Sequence, residues 1–253
     1  MRDRGLEQAI DVAGGVGALA RKIGISQPSL SNWTRVPAER VIAIEQITGI
    51  DRAILRPDLY RQPVGEVDAA RGREYMLLGV LLRRAPDARL LNQLRSIRAD
   101  ASPLGIAHAS LADAAAAANA DRVEREFFDL FIGIGRGELL PYASYYLTGF
   151  LHERPLARLR DDLARMGIVR AEDEIEPEDH AAVLCEIMAG IAGGQFDCPA
   201  GADRHFFDRH LSPWVGRFFA DLENAKAADF YRHVARVGRT FMQIETEAFA
   251  LTE

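Results

Sequence analysis

Gly17-Ala18-Leu19-Ala20-Arg21-Lys22-Ile23-Gly24-Ile25-Ser26-Gln27-Pro28-Ser29-Leu30-Ser31-Asn32-Trp33 carries the clearest helical pattern in the chain. Its apolar residues, Leu19, Ile23, Ile25, Leu30 and Trp33, make the inward face of two short helices joined by a tight turn. Ala20 is small enough for close helix approach, and Gly24 supplies a permissive backbone at the turn. Ser26 is placed to cap the second helix, with Pro28 tolerated in its first turn. This is a helix-turn-helix pattern. Gln27, Ser29 and Asn32 remain facing outward on the second helix, with Ser31 and Arg35 nearby. Side chains of these types hydrogen-bond base edges or phosphates in a major groove, so these five are the candidate DNA-contacting residues. The same pattern also fits a unit used for packing or dimerisation.

On either side of this stretch, Leu6, Ala9, Ile10 and Ala13 give an amphipathic first helix. Val41, Ile44 and Ile47 line another that stops at Gly49. The same 3.6-residue periodicity continues to the end of the chain, while runs of alternating β-branched and aromatic residues are nearly absent. The expected fold class is all-α: a small helix-turn-helix domain followed by a larger all-helical one. Helices are expected near 73–85, 87–98, 103–118, 120–132, 143–149, 155–166, 177–192, 203–223 and 228–249. No fixed-period repeat supports a solenoid.

The 253 residues suffice for two domains, and 48% hydrophobic with 27% charged residues argues against disorder. Residues 1–65 carry nine Arg/Lys against seven Asp/Glu and residues 66–253 carry 22 against 30, so the parts differ in charge at +2 and −8. Phosphate attraction fits the first part and not the second. The segment Arg61-Gln62-Pro63-Val64-Gly65-Glu66-Val67-Asp68 is the candidate linker. It puts the boundary near residue 68, and the domains are taken as 1–65 and 66–253. No apolar run is long enough to span a membrane, and Met1-Arg2-Asp3-Arg4-Gly5 leads into a helix instead of an export leader, so the expected place is the cytoplasm. Cys185 and Cys198, the only cysteines, make neither a disulfide framework nor a zinc site.

Beyond residue 120 three constellations stand out. The first runs from Glu126-Phe127-Phe128 through Gly133-Ile134-Gly135-Arg136-Gly137-Glu138 to Pro141-Tyr142-Ala143-Ser144-Tyr145-Tyr146. Its glycines follow a helical aromatic stripe instead of a strand, which rejects a dinucleotide or Walker site. They fit the end of one helix and the close crossing of the next, or a groove floor exposing Tyr142, Ser144 and Tyr146. The second, Glu176-Pro177-Glu178-Asp179-His180, has the composition of a helix start: Pro177 suits the first helical position, and the acids complement the dipole. The third is Phe206-Phe207-Asp208-Arg209-His210-Leu211-Ser212-Pro213-Trp214, whose aromatics at helical spacing fit a core. Neither metal binding nor a nucleophilic triad is supported by the spacing.

Two resemblances follow from these residues. Ala13-Gly14-Gly15, Ala18-Leu19-Ala20, Ser26-Gln27-Pro28, Ser31-Asn32-Trp33, Val36-Pro37-Ala38-Glu39-Arg40, Thr48-Gly49-Ile50 and Leu55-Arg56-Pro57-Asp58-Leu59-Tyr60 look like the Cro/YdaS-type phage repressor domains over about residues 5–60. The order and spacing of the three later constellations, with Pro155-Leu156, Leu159-Arg160, Gly167 and a long last helix bearing Phe230, Tyr231, Phe241 and Glu245, resemble the TorD/DmsD family of redox-enzyme maturation chaperones over about residues 74–249. That resemblance implies a non-enzymatic, all-helical cytoplasmic domain that binds the twin-arginine signal peptide and apo form of a molybdenum or tungsten oxidoreductase until its cofactor is inserted. It requires no cofactor of its own, weak GTP binding being suggested for some relatives, and it allows a homodimer. Carried over residue by residue, the matching positions are Tyr142, Ser144, Tyr146, Glu176, Pro177, Asp179, His180, His210, Pro213 and Trp214.

A leader with paired arginines and an apolar stretch calls for a groove with acids and apolar walls. Asp179 and Glu176 are the candidates for charge recognition, Trp214, Tyr142 and Tyr146 for apolar contact, and His180 and His210 for hydrogen bonding or pH dependence. The appended helix-turn-helix adds operator DNA as an expected partner. It also leaves open a one-component transcriptional regulator whose helical domain senses or dimerises.

Overall fold

A computed structural model describes residues 2–60, 64–171 and 175–251. The chain forms two compact units, Met1–Val64 and Gly65–Glu253. In the first, α1 (Arg4–Ala13), α2 (Val16–Lys22), α3 (Gln27–Ser31), α4 (Val41–Thr48) and α5 (Arg52–Leu55) enclose a core of Leu6, Ile10, Leu19, Ile23, Leu30, Val36, Val41, Ile44 and Leu55. The α2–α3 turn passes through Gly24 at φ +71°, a conformation that a side chain disfavours. Ser26 then caps α3, its hydroxyl accepting from the Ser29 N–H at 3.3 Å. Arg56 ties the unit together from inside, donating to the Val36 carbonyl at 2.6 Å and forking onto Asp58 with two 2.7 Å bonds.

The second unit is built from α6 (Glu66–Arg83), α7 (Ala88–Leu94), α8 (Pro103–Ala117), α9 (Ala120–Phe127), α10 (Ala143–Thr148), α11 (Arg154–Arg165), α12 (Ala181–Ala192), α13 (Ala202–Phe206), α14 (Val215–Asn224) and α15 (Phe230–Ala250). Helix α12, apolar nearly all round, lies in the centre with ten of its residues buried, as such a composition requires. α6 packs along it, and Arg83 closes the contact by forking onto Glu186 at 2.5 and 2.6 Å. α14, α15 and α8 supply the rest of the core, with Phe206, Phe207, Trp214, Phe218, Phe219, Tyr231 and Phe241. Gly238 on α15 is required there, because a Cβ would strike the ring of Phe219.

Charged groups are set inside this frame. Arg71 on α6 donates through Nε and Nη2 to the buried Glu245 carboxylate on α15 at 2.8 and 2.9 Å. It also donates through Nη1 to Asp203 and Asp68, and Tyr75 gives Glu245 a further bond at 2.9 Å. Glu126 accepts from the backbone N–H groups of Asp229, Phe230 and Tyr231, and Glu138 from those of Lys226 and Ala227. Two acids of the glycine-rich constellation thus hold the entry to α15, satisfying donors that a helix start leaves unpaired.

Four sequence expectations need correction. Glu66–Asp68 belong to α6 and not to a linker, while Arg61–Pro63 lie outside the described residues. The helix expected from 177 starts at Ala181, with His180 as its N-cap. The helix expected over 203–223 is interrupted by a π-helical turn, Phe207–Leu211, and by the turn around Pro213. The helix expected over 120–132 likewise widens into a π turn at Phe128–Ile132.

Candidate functional site

The first two constellations meet in a short antiparallel bridge between Tyr142 and His180. The Ala143 N–H donates to the Asp179 carbonyl at 2.9 Å, and the Ala181 N–H donates to the Pro141 carbonyl at 2.8 Å. The Asp179 carboxylate then reaches across to start α10. Its Oδ2 accepts from the Ser144 N–H at 2.8 Å and from the Ser144 hydroxyl at 2.5 Å. Both residues are buried, so this is a helix cap supplied by a distant segment. Beside it the Tyr142 hydroxyl donates to Glu176 at 2.7 Å, and burial next to that carboxylate pushes the phenol up. The His180 ring stands edge-on to Tyr142 with centroids 5.0 Å apart, and its Nδ1 accepts from the Ala182 N–H at 3.1 Å. That bond fixes Nδ1 as the acceptor nitrogen. Glu178 is forked by Arg160 at 2.8 to 3.1 Å, which holds its carboxyl below the ordinary value against the effect of burial.

The third constellation reaches the same place through Asp162 on α11. His210 Nε2 donates to Asp162 Oδ2 at 2.8 Å, Arg209 Nε lies 3.1 Å from that oxygen, and Arg165 Nη1 donates to Oδ1 at 2.5 Å. Trp214 donates from its indole N–H to the His210 carbonyl at 2.7 Å and packs against Tyr146 at 5.4 Å. Ala143 and Leu147 from the first segment, Asp179 from the second and Arg209 and His210 from the third line one cavity of ≈ 70 Å³. Next to it α10 gives way to a loop that passes through Gly149 and His152, both at positive φ, and carries Phe150 and Leu151 to solvent.

These positions alter the roles expected from sequence. Ser144 and Tyr146 are buried and make no exposed groove floor. Trp214 is 1% exposed and belongs to the core, as its packing against Tyr146 and Phe218 requires. Asp179 is 2% exposed and engaged with Ser144, so its carboxylate is committed to the start of α10 and is no surface charge. His180 and His210 have separate partners: the first caps α12, and the second pairs with Asp162. Tyr142, Glu176 and Pro177 are half-buried and Pro213 is exposed. Sequence reasoning missed Asp162, although a signal was present. Leu156, Leu159 and Leu163 define the buried face of α11, and Asp162 falls on it, where a carboxylate needs partners.

Burial holds the His210 imidazole below its ordinary value of 6.5. Arg209 and His205 act in the same sense and the Asp162 bond acts against them. The folded state therefore favours the neutral ring. Stability from this source is complete above about pH 6.5 and is lost as pH falls toward the folded value. His108, raised by its bond to Glu74, has the opposite sense, its contribution being lost as pH rises. The comparison is therefore made by variant: the Tm gap between wild type and His210→Gln at pH 7 is expected to shrink toward pH 5. A gap that stays constant or widens contradicts the assignment.

Two parts of the chain are similar to known proteins. Residues 98–220 match the family model described as nitrate reductase delta subunit, and residues 6–64 match the one described as bacterial toxin YdaS. Chaperone protein TorD of Vibrio cholerae is 30% identical over 127 residues, covering 47% of this chain and 58% of that protein, so the match spans little more than half of that relative's length. Chaperone protein TorD of Shewanella loihica is 25% identical over 216 residues, 76% of this chain and 98% of that one. A solved structure from Archaeoglobus fulgidus, described as a redox enzyme maturation protein, superposes with TM-score 0.48 at 22% identity, covering 73% of this chain and 98% of that one. Among the described residues no helix is long and apolar enough to cross a membrane. The chain thus joins a helix-turn-helix unit similar to the YdaS model to an all-helical unit similar to the TorD chaperones.

Proposed function

We propose that the C-terminal unit is a cytoplasmic chaperone that binds the twin-arginine leader and apo form of a molybdenum or tungsten oxidoreductase before cofactor insertion. The observation that carries this reading is the convergence of three distant segments on one small cavity beside a solvent-facing apolar edge. The name of the TorD relatives supports it. Such a site works by binding alone and needs neither a bound cofactor nor a covalent step. Ser144, Tyr146, Asp179, His180, His210 and Trp214 hold the shape from inside. Leu147, Phe150, Pro213 and half-buried Tyr142 offer the apolar contact, and Glu176 offers negative charge to a guanidinium in a unit whose net charge is −8.

Labelled twin-arginine leaders encoded by the source genome provide the test, with binding read by fluorescence anisotropy. Leu147→Glu and Phe150→Glu each alter an exposed side chain, and each is expected to weaken the leader at least tenfold, about 1.4 kcal/mol, with Tm unchanged. Affinity indifferent to both, or no leader bound, contradicts the reading.

The N-terminal unit, in the same proposal, binds operator DNA through α3. Supporting this, Gln27, Ser29, Ser31, Asn32 and Arg35 are all exposed while Leu30 between them is buried. Ser29 bonds Ser26 at 2.8 Å, and Arg35 lies 3.5 Å from Asp58, which leaves Gln27 and Asn32 best placed for base edges. At about 1–3 kcal/mol per base contact, Gln27→Ala with Asn32→Ala should cost a selected operator about tenfold or more in affinity. Non-specific binding and its salt dependence should remain. Equal loss on unrelated DNA contradicts a recognition role.

A further inference from the structure

A second cavity, ≈ 530 Å³, lies between α6, the start of α8 and the C-terminal half of α15, away from the motif junction. Its volume is in the range of small-molecule sites. The walls are apolar: Leu104, the buried ring of Phe241, and the exposed side chains of Ile244 and Val67. Exposed apolar groups of this kind gain by being covered.

The charges around the cavity are asymmetric. Each of its carboxylates is already engaged: Glu245 with Arg71 and Tyr75, Glu74 with His108 at 2.8 Å, and Asp100 with the Ser102 hydroxyl and N–H at 2.5 and 2.8 Å. The Glu74 bond also raises the His108 imidazole. Arg73 and Arg98 line the same cavity, are exposed, and have no acidic partner among the described residues. Two uncommitted guanidiniums at an apolar cavity, in a unit of net charge −8, select for an anionic head carrying a hydrocarbon.

We propose that this cavity binds a small amphiphilic carboxylate, its head between Arg73 and Arg98 and its hydrocarbon on Leu104, Phe241 and Ile244. Chain placement gives the site further interest, since α6, one of its walls, is the first helix after the YdaS-type unit.

The test titrates decanoate into the full-length protein by calorimetry, with decyltrimethylammonium as the probe of equal tail and opposite charge. Decanoate is expected to bind with one-to-one stoichiometry and to raise Tm, as any ligand of the folded state does. Decyltrimethylammonium is expected to bind at least tenfold more weakly. Arg73→Gln with Arg98→Gln should weaken decanoate about tenfold or more, the size expected when charge-assisted bonds are lost. Ile244→Asp should weaken it through the tail. All three substitutions alter exposed side chains, so circular dichroism and the Tm without ligand are expected to match wild type. The proposal is overturned by any of four results: no binding of decanoate, affinity unchanged in the arginine variant, affinity equal for the cationic probe, or binding accompanied by a fall in Tm. None of these results bears on leader binding at the motif junction.

Discussion

Arg71→Ala is expected to lower the stability of the C-terminal unit by about 3–5 kcal/mol, the range for a buried ion pair that loses one partner. Glu245 is 1% exposed and receives two of its three hydrogen bonds from this guanidinium. Without it the carboxylate must either remain charged with only the Tyr75 hydroxyl or take up a proton. Asp203 loses its bond to α6 at the same time, so α6, α13 and α15 come apart at one point. Arg71→Lys keeps the charge and loses the fork, and should recover only part of the loss. Arg71→Met with Glu245→Leu removes both charges and should be less harmful than the single alanine change. Urea unfolding followed by circular dichroism measures all three. A loss below about 1 kcal/mol for Arg71→Ala contradicts the role assigned to this network.

Asp179→Ala has the second largest expected effect, and it separates two roles for one residue. The substitution leaves the Ser144 N–H and hydroxyl without their acceptor at a fully buried position. Taking each of the two unsatisfied groups in the lower part of the roughly 1–3 kcal/mol range, a loss of about 2–4 kcal/mol follows, together with fraying of α10 and loss of leader binding. Asp179→Asn retains a carbonyl acceptor and should restore much of both. If Asp179 instead contacted a leader guanidinium directly, the asparagine variant would bind as poorly as alanine while remaining stable. Paired unfolding and leader titrations of the two variants decide between positioning and direct charge recognition.

The parts of the fold that depend on local pattern could be read from the sequence. Ser26 capping α3, Leu30 pointing inward with Gln27 and Asn32 outward, and the apolar faces of α1, α4 and α11 all follow from helical periodicity and cap chemistry. What could not be read depends on partners far along the chain. Pro177, Glu178 and Asp179 have the composition of a helix start. Each is used elsewhere, however: Glu178 by Arg160, Asp179 by the start of α10, and the Pro177 carbonyl by the His180 N–H, which leaves His180 to cap α12. Glu126 and Glu138 likewise cap a segment some hundred residues away, about which a local window carries no information. Trp214 offers no client contact for a related reason. Periodicity marks it as apolar, but only the packing of Tyr146 and Phe218 tells that its apolar face is already covered.

Hydrogen–deuterium exchange of the full-length protein, with and without a bound twin-arginine leader, tests most directly whether the motif junction is where the client is held. Protection is expected over 143–151, 176–181 and 209–214, the segments that meet at Asp179 and His210. Protection confined to other helices, or a set of leaders none of which binds, would contradict it.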